Sequence, residues 1–442
     1  MHTPTGSSRR AFLARVSALV AAGSVAGPLG ALGAAPQVRT ATAGGDPRLA
    51  DDATARDPDW DRIADLYGAP ARPINLDGGF FGTMARPVLD AHLRHVERVN
   101  RNGAVFARRE YPAIELAARA EVAAFVGVKP NELVFARNAT EALQTLISQY
   151  RHVGAGDTVM YADLDYPAMQ QAMNALAAER GATVARFDFP EPATHSGILE
   201  AYDAALRAHP RTKLLLVTHC NNKTGLLHPV RDIVGVAKAR GVDVICDAAH
   251  SFGQVPLTVE ALGADFVGLN LHKWVGAPVG IAAMVIRESR LDAIARAHGD
   301  QTPLDRIEGR LHMGTTNFAV TMTVPDALAF QASIGLAQKS ARLRWLRDRW
   351  VRAVREVDGI EVLTPDDPSM VCALTSVRVR QGTTRLPAAA VVRTLYDDFG
   401  IFTVARNGIA RGDAVRITPT LANRPADVDA LAAALRSIAS RS

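Results

Sequence analysis

Between Asn131 and Arg287 the sequence alternates between stretches of helical and of strand-like period. "ATEALQTLISQY", "YPAMQQAMNALAAERG", "LEAYDAALRAHP" and "PVRDIVGVAKARG" repeat their apolar residues every three or four positions. "DTVMYADL", "TVARFDF", "TKLLLVTH", "VDVICDAAH", "DFVGLNLHK" and "GIAAMVIR" are short, apolar and rich in β-branched residues. Strands that are apolar on both faces and are joined by helices build a mostly parallel sheet between helical layers. The pattern restricts the region to an α/β fold, whose ligands bind beyond the carboxyl ends of the strands. After about Thr321 the texture changes. A long charged helix, "SARLRWLRDRWVRAVREV", leads through "IEVL", "VCALTSVRV", "PAAAVVRTLYDDFG", "IFTVAR" and "AVRITPT" to the helix "ADVDALAAALRSIA". That mixture predicts a smaller α+β domain with an antiparallel sheet. The expected division is a large domain over 61–320 and a small one over 321–442, which 442 residues, 48% of them hydrophobic, are enough to supply with cores.

The first 35 residues carry Arg9, Arg10 and Arg15 and no acid, so the net charge of +5 falls to +2 without them. No block of basic residues reads as a nucleic-acid arm, and no nucleic-acid partner is expected. The order Ser-Arg-Arg-Ala-Phe-Leu, followed by a weakly apolar Ala/Gly/Val/Leu segment, resembles a twin-arginine export signal over 1–35, with cleavage near Ala34 or Ala35. Gly23, Gly27, Pro28 and Gly30 interrupt that segment, which argues against a stable membrane span. Residues 36–60 read as a linker, and a periplasmic or secreted location is expected. Three cysteines, Cys220, Cys246 and Cys372, lie in or beside apolar strands and read as small core residues. No histidine pair has zinc-helix spacing, so no metal site is expected; no P-loop and no nucleophile elbow are present.

Polar residues of chemical interest fall at strand ends. "VDVICD" ends on Asp247, "LLLVTHCNN" runs into His219, Asn221 and Asn222, and "DFVGLNLHK" ends on Lys273. An Asp–Lys ion pair would account for two of these. Lysine is rare here, however: there are six, at 129, 213, 223, 238, 273 and 339, against forty-four arginines. Arginine serves an ion pair as well or better, whereas an amine that must lose its proton and attack a carbonyl has to be lysine. A cofactor with an aldehyde for Lys273 and a ring cation for Asp247 accounts for both residues, and pyridoxal 5′-phosphate (PLP) has these plus a phosphate. In "FARNATEAL" a strand runs through Asn138, Ala139 and Thr140 into a helix, whose N-terminus offers N–H groups and the Thr140 hydroxyl to an anion, as it would to an ordinary cap. Asn270 and His272 flank the lysine as further donors.

These segments together resemble the class V aminotransferase family of fold-type I PLP-dependent enzymes, from about residue 70 to the end. The resemblance implies a PLP-binding large domain and a smaller C-terminal domain. "NLHKW" resembles the Schiff-base segment, with Lys273 as the lysine that carries the cofactor. "CDAAH" places Asp247 at the pyridinium nitrogen and His250 at the ring oxygen. "THCNNKTG" places Asn222 near the ring oxygen or substrate, and "ATEAL" places Ala139 and Thr140 at the phosphate. "DLDYPAM" resembles a segment whose aromatic residue stacks on the ring, here Tyr166 where many members carry histidine. "MGTTNF" resembles a turn lent by a neighbouring subunit, with Thr315 reaching the phosphate, and so implies a homodimer. "VRITPTLANRPADVDAL" assigns Arg416 to the substrate carboxylate, and "NLDGGFFG" (75–82) lines the site.

The resemblance implies chemistry at Cα of a small amino-acid-like substrate, by an aminotransferase or an epimerase or racemase, with Lys273, Asp247, His250 and Tyr166 as catalytic residues. A PLP lyase cutting at Cβ or Cγ is the alternative, and a non-catalytic binding protein is a third reading. Cysteine desulfurases need a mobile cysteine shortly before the carboxylate arginine, and "FGIFTVARNGIARGDAVRIT" has none. The wording "HKW…AP" and "DAAH" is similar to the isopenicillin N epimerase-like branch.

Overall fold

The computed structural model describes residues 59–441. The export signal expected over 1–35 lies outside them, as does the linker up to residue 58. Asp59 and Trp60, the last two residues of the expected linker, instead open a helix (Asp59–Asp65), and Trp60 is buried in a cluster with Trp274, Leu343 and Leu421.

Two helices, α1 (Arg86–Arg109) and α2 (Tyr111–Val126), lead into the large sheet. Then β1 (Leu133–Ala136), α3 (Ala139–Ser148), β2 (Thr158–Ala162), α4 (Pro167–Arg180) and β3 (Thr183–Phe187) alternate as the periodicity requires. Gly181, at φ +66°, takes the left-handed position that ends α4. α5 (His195–Ala208), β4 (Thr212–Thr218), α6 (Val230–Lys238), β5 (Asp243–Asp247), β6 (Phe266–Asn270) and β7 (Ala282–Ile286) complete the layer. The order is β1-β7-β6-β5-β4-β2-β3. All neighbours from β6 to β3 are parallel, while β7 runs antiparallel to β1 and β6. Residues 271–281, with Lys273 among them, form the turn that reverses the chain between β6 and β7. Thr218 lies opposite Asp247, and Asp247 opposite Gly268, so the carboxyl ends of β4, β5 and β6 form one rim.

Successive side chains of a strand point to opposite faces. Leu215 and Val217 of β4 join one apolar cluster, with Cys246, Val267 and Leu269, while Leu214 and Leu216 join the other, with Ile245 and Phe266. Burying each leucine contributes about 1.5–3 kcal/mol, so only a fold that covers both faces makes full use of these strands.

Beyond α7 (Val324–Ile334) and α8 (Leu336–Val354) comes the second sheet. It contains β8 (Ile360–Val362), β9 (Thr375–Gln381), β10 (Thr384–Arg385), β11 (Val404–Arg406) and β12 (Ala414–Ile417), with α9 (Ala388–Phe399) between β10 and β11 and α10 (Pro425–Ser440) at the end. Its order is β10-β9-β12-β11 with β8 also on β9, and every pairing is antiparallel. Leu346, Trp350, Leu395, Leu431 and Leu435 from α8, α9 and α10 pack with Val377, Val415 and Ile417 of the sheet. Ile74 and Asn75 pair in parallel with Ile401 and Phe402, and Asp77 bridges to Thr418, which ties the segment 75–82 to the end of β12. Among the described residues no helix is long and apolar enough to cross a membrane.

Candidate active site

The rim formed by β4, β5 and β6 carries the titratable groups. Asp247 is buried at the end of β5, where its Oδ1 accepts the Ala249 N–H at 2.9 Å and its carbonyl accepts the His219 N–H at 2.9 Å. Burial raises its carboxyl; the Ala249 N–H and the positive charge of Lys273 oppose that rise. Three residues beyond the end of β6, the Lys273 Nζ lies 3.0 Å from His250 Nε2. Burial lowers the Lys273 amine to about 8; Asp247 resists, while Arg416 and Arg406 push the same way as burial. His250 is pushed well below its ordinary value by burial and then by Lys273, Arg416 and Arg406, and so is neutral. Trp274 Nε1–H donates to His250 Nδ1 at 3.4 Å, so the ring proton belongs on Nε2, facing Lys273. Only an uncharged amine accepts that hydrogen bond. Geometry and burial therefore act in the same direction, toward an amine that gives up its proton more readily than an ordinary lysine.

Backbone contacts hold the lysine turn from both sides. Gly82 N–H donates to the His272 carbonyl at 2.8 Å, and a Cβ on Gly82 would lie 1.9 Å from the Lys273 carbonyl oxygen. The glycine is needed for that approach. His272 is buried with Nδ1 against the Ile281 carbonyl at 2.8 Å, closing the turn between β6 and β7. Behind it, the buried Lys339 Nζ donates to Gln331 Oε1 at 2.7 Å and to the Trp274 carbonyl, and Gln331 Nε2 donates to the Val275 carbonyl at 2.8 Å.

At the start of α3, Asn138 Oδ1 accepts the Glu141 N–H at 2.9 Å, and Asn270 Oδ1 accepts the Ala139 N–H at 2.9 Å. Two N–H groups expected to be open to an anion thus have protein partners. Asn270, expected as a cofactor donor, spends its oxygen on fixing the first turn of α3 to the end of β6. Thr140, half-buried, is the next residue along that turn.

Arg416 of β12 is buried and reaches back to the large sheet. Its Nη1 donates to the Asn222 carbonyl at 3.1 Å and its Nη2 pairs with Asp77 Oδ1. A Cβ on Gly79 would lie 3.2 Å from its Cζ, so the segment 75–82 lies directly on the guanidinium. Arg416 Nε and Asn222 Oδ1 are buried without protein partners, as are Arg406 Nε and Thr418 Oγ1. Such orphans are uncommon in native proteins, and their gathering around Arg416 fits a polar ligand. Tyr166, at the N-cap of α4, is 39% exposed. Its neighbour Asp165 is fully buried and accepts Thr218 Oγ1–H at 2.6 Å, Thr218 N–H at 3.0 Å and Ala162 N–H at 2.8 Å, which pins the Tyr166 loop to the end of β4.

Of the sequence-predicted residues, the structure joins Lys273 to His250, Asn270 to Ala139 and Arg416 to Asn222 by hydrogen bonds, and couples Asp247 to Lys273 by charge. Thr315 is exposed on the loop ahead of the helix Phe318–Met322. Sequence reasoning missed Asp77, Asp165 and Arg406. Arg406, on β11, has its guanidinium lowered to about 10, by burial and then by Arg416, with Asp77 and Tyr166 acting the other way. All three missed residues had a signal, since each lies in a quoted segment, but nothing local distinguished them from surface charges. A cavity of about 830 Å³, bounded by Asp77, Gly78, Phe80, Phe81, Tyr396 and Phe402, opens beside Asp77. A second, of about 30 Å³, reaches Lys273 and shares Tyr67, Gly78, Thr83 and Thr420 with the first. Among the described residues no group of three or more His, Cys, Asp or Glu is arranged to hold a metal ion.

Residues 84–430 match the family described as Aminotransferase class-V. The chain is 28% identical over 398 residues to the isopenicillin N epimerase of Amycolatopsis lactamdurans, covering 86% of this chain and 98% of that protein. Among solved structures, the apo cysteine desulfurase of Thermococcus onnurineus NA1 superposes with a TM-score of 0.71 at 21% identity, covering 83% of this chain and 94% of that one. A C-DES variant with glycine covalently linked to its PLP cofactor superposes with a TM-score of 0.73 at 22% identity, covering 84% and 98%. Both likenesses are of fold: the mostly parallel sheet flanked by helices of the fold-type I PLP-dependent transferases.

Proposed function

Since the chain belongs to the class V aminotransferase family, we propose that it is a PLP-dependent enzyme that moves a proton at Cα of an amino-acid-like substrate, as an epimerase or racemase. The observation that carries this reading is the buried amine of Lys273, lowered to about 8, 3.0 Å from His250 and in the field of the Asp247 carboxylate at the neighbouring strand end. PLP, when bound, supplies an aldehyde that condenses with amines and a ring that withdraws electrons from the substrate, making its Cα–H acidic. The residues present fit that group. Asp247 would meet the ring nitrogen, His250 and Asn222 the ring oxygen, Tyr166 the ring face, and Thr140, with Ala139 and Asn270 shaping the turn, the phosphate.

Lys273 then does the proton work. An amine lowered to about 8 has a far larger neutral fraction near neutral pH than an ordinary lysine, to take a proton, and its ammonium form is acidic enough to return it. Asp247 would be held in its charged form by a ring cation when the cofactor is bound. Asp77 holds Arg416 in place before substrate arrives, so a substrate carboxylate shares a guanidinium that is already oriented. Similarity to the epimerase across 98% of its length supports inversion at Cα over transamination. Inversion also needs a proton donor on the opposite face, and Tyr166 is assigned that role. Desulfuration is not proposed, because Cys220, Cys246 and Cys372 are all buried and none lies between Ile401 and Arg416. Incubation with single enantiomers of a panel of amino acids and small peptides in deuterated water tests the reading. Exchange of the α-hydrogen with loss of optical purity is expected; keto-acid formation without inversion would shift the assignment to transamination, and release of a side-chain leaving group to a lyase.

The same reading extends to a homodimer in which Thr315 completes the neighbouring subunit's phosphate site, and to export of the folded, cofactor-loaded protein through the twin-arginine signal. Fractionation of cells making the Arg9→Lys, Arg10→Lys double variant tests export: the variant is expected to remain inside while the parent does not.

A further inference from the structure

Two thiols that the proposed chemistry does not use are in contact. Cys220 and Cys372 are 152 residues apart in sequence, both are buried, and their Sγ atoms lie 3.4 Å from each other. They share a small apolar cluster with Leu227 and Leu374, whereas Cys246 sits in the main core. Cys220 opens the hairpin that bridges to Leu227 and carries Asn222, the residue whose carbonyl holds Arg416. Cys372 lies in the lead-in to β9, which pairs with β12 through Ser376 and Arg416. The thiol contact therefore links the two segments that set Arg416 from either side.

One member of the pair, Cys372, also borders a cavity. Cys372, with Gln254, Arg344 and Ser369, lines a surface cavity of about 320 Å³. Burial alone would raise the Cys372 thiol. The hydrogen bond from Cys220 and the charges of Arg347 and Arg344 outweigh it and leave Cys372 below its ordinary value, with Cys220 well above its own. Cys372, the one of the two that lines the cavity, is the first to meet an oxidant.

We propose that Cys220 and Cys372 are a disulfide-forming site, oxidised by a small-molecule disulfide that enters through this cavity, and that the bond staples the Asn222 hairpin to the strand beside Arg416. The Cys372 thiolate attacks one sulfur of the oxidant and releases one thiol, leaving a mixed disulfide. The Cys220 thiolate then attacks Cys372 Sγ and releases the second thiol. One oxidant disulfide is reduced to two thiols and two protein thiols are oxidised to one disulfide, so electrons and protons balance. The proposal is independent of the reaction assigned to the active site, and an oxidising extracytoplasmic compartment would favour the bond.

The test treats folded holoprotein with oxidised glutathione, quenches with acid, and alkylates in denaturant without reductant. One alkylated cysteine, Cys246, is expected instead of three, with a protein mass two daltons below that of the reduced chain and a Cys220–Cys372 cross-linked peptide. Cys220→Ser should stop at the mixed disulfide and gain one glutathione. Three alkylated thiols in the treated parent protein, a bridge to Cys246, or a glutathione adduct that persists on the parent would each overturn the proposal. If Cys220→Ser does not fold, the thiol count of the parent still decides.

Discussion

Lys273 matters because burial lets its amine lose its proton at about 8 instead of 10.5. Replacing it with alanine should remove the visible absorbance of the cofactor-loaded protein and reduce Cα-proton exchange by roughly 10²–10⁴-fold or more; absorbance and deuterium incorporation check this. The pH dependence has a definite sign. A lysine lowered from 10.5 to about 8 is neutral in the folded chain, and still charged in the unfolded one, between those two values. The unfolded state then binds more protons, so the stability contributed at this residue rises with pH across that window. For the same reason, PLP uptake by cofactor-free protein should speed up as pH rises through about 8, measured by the growth of absorbance after mixing. Arg416→Lys keeps the charge but loses the fork shared by Asp77 and Asn222, and should raise KM for carboxylate substrates about tenfold or more with a smaller change in kcat. At this scale the sequence singled out residues that the structure does bring together at the strand ends, Lys273, Asp247 and His250, because each is an unusual residue type for its position. Asp77 was not readable. It meets Arg416 from 339 positions away, and no local pattern encodes such a meeting.

The elements hold the site through two short segments. Asp165 presents its carboxylate to three donors from β2 and β4, while burial pushes it up to about 7. In Asp165→Asn one of those N–H or O–H groups must face an amide NH₂, and a buried donor left unmatched costs about 1–3 kcal/mol. Thermal unfolding should show that loss, with Tyr166 displaced from the cofactor as a shifted visible band. Gly82→Ala puts a methyl where the Lys273 carbonyl lies, so the lysine turn must move. Stability and PLP occupancy should both fall, whereas an alanine at Gly235, whose Cβ would meet nothing within 4 Å, should be tolerated. The helix–strand alternation, and the change to a second sheet, were legible because each period reports the face that must be buried. The reversed direction of β7 and the place of β1 at the sheet edge were not: an apolar strand buried on both faces looks the same in either direction and at many positions in the order. The first turn of α3 carries a similar lesson. Its signal was that of any helix N-terminus, and the structure shows two of its N–H groups engaged by Asn138 and Asn270.

The whole molecule assembles its chemistry where the large sheet's rim meets β12 and the segment 75–82. Long-range pairing of this kind was legible only through resemblance to a family, because hydrophobic period fixes layers and leaves open which layers meet. If Thr315 completes a second copy's site, Thr315→Ala alone should be inactive and mixing it with Lys273→Ala chains under exchange should recover about a quarter of parental activity, since half the dimers are mixed and each has one intact site. A fully active Thr315→Ala would place Thr315 outside the site, and two inactive variants without recovery would place it in its own subunit's site. The central claim is that Lys273, and no other amine, joins the cofactor. Lys339 is the informative competitor: it is buried behind the same turn and its amine is lowered to about 7 by burial alone. Borohydride reduction of PLP-loaded protein, followed by peptide mapping by mass spectrometry, separates the two. A pyridoxyl group on Lys273 is predicted. The same group on Lys339, or no modified lysine in protein that shows the cofactor's absorbance, would contradict it.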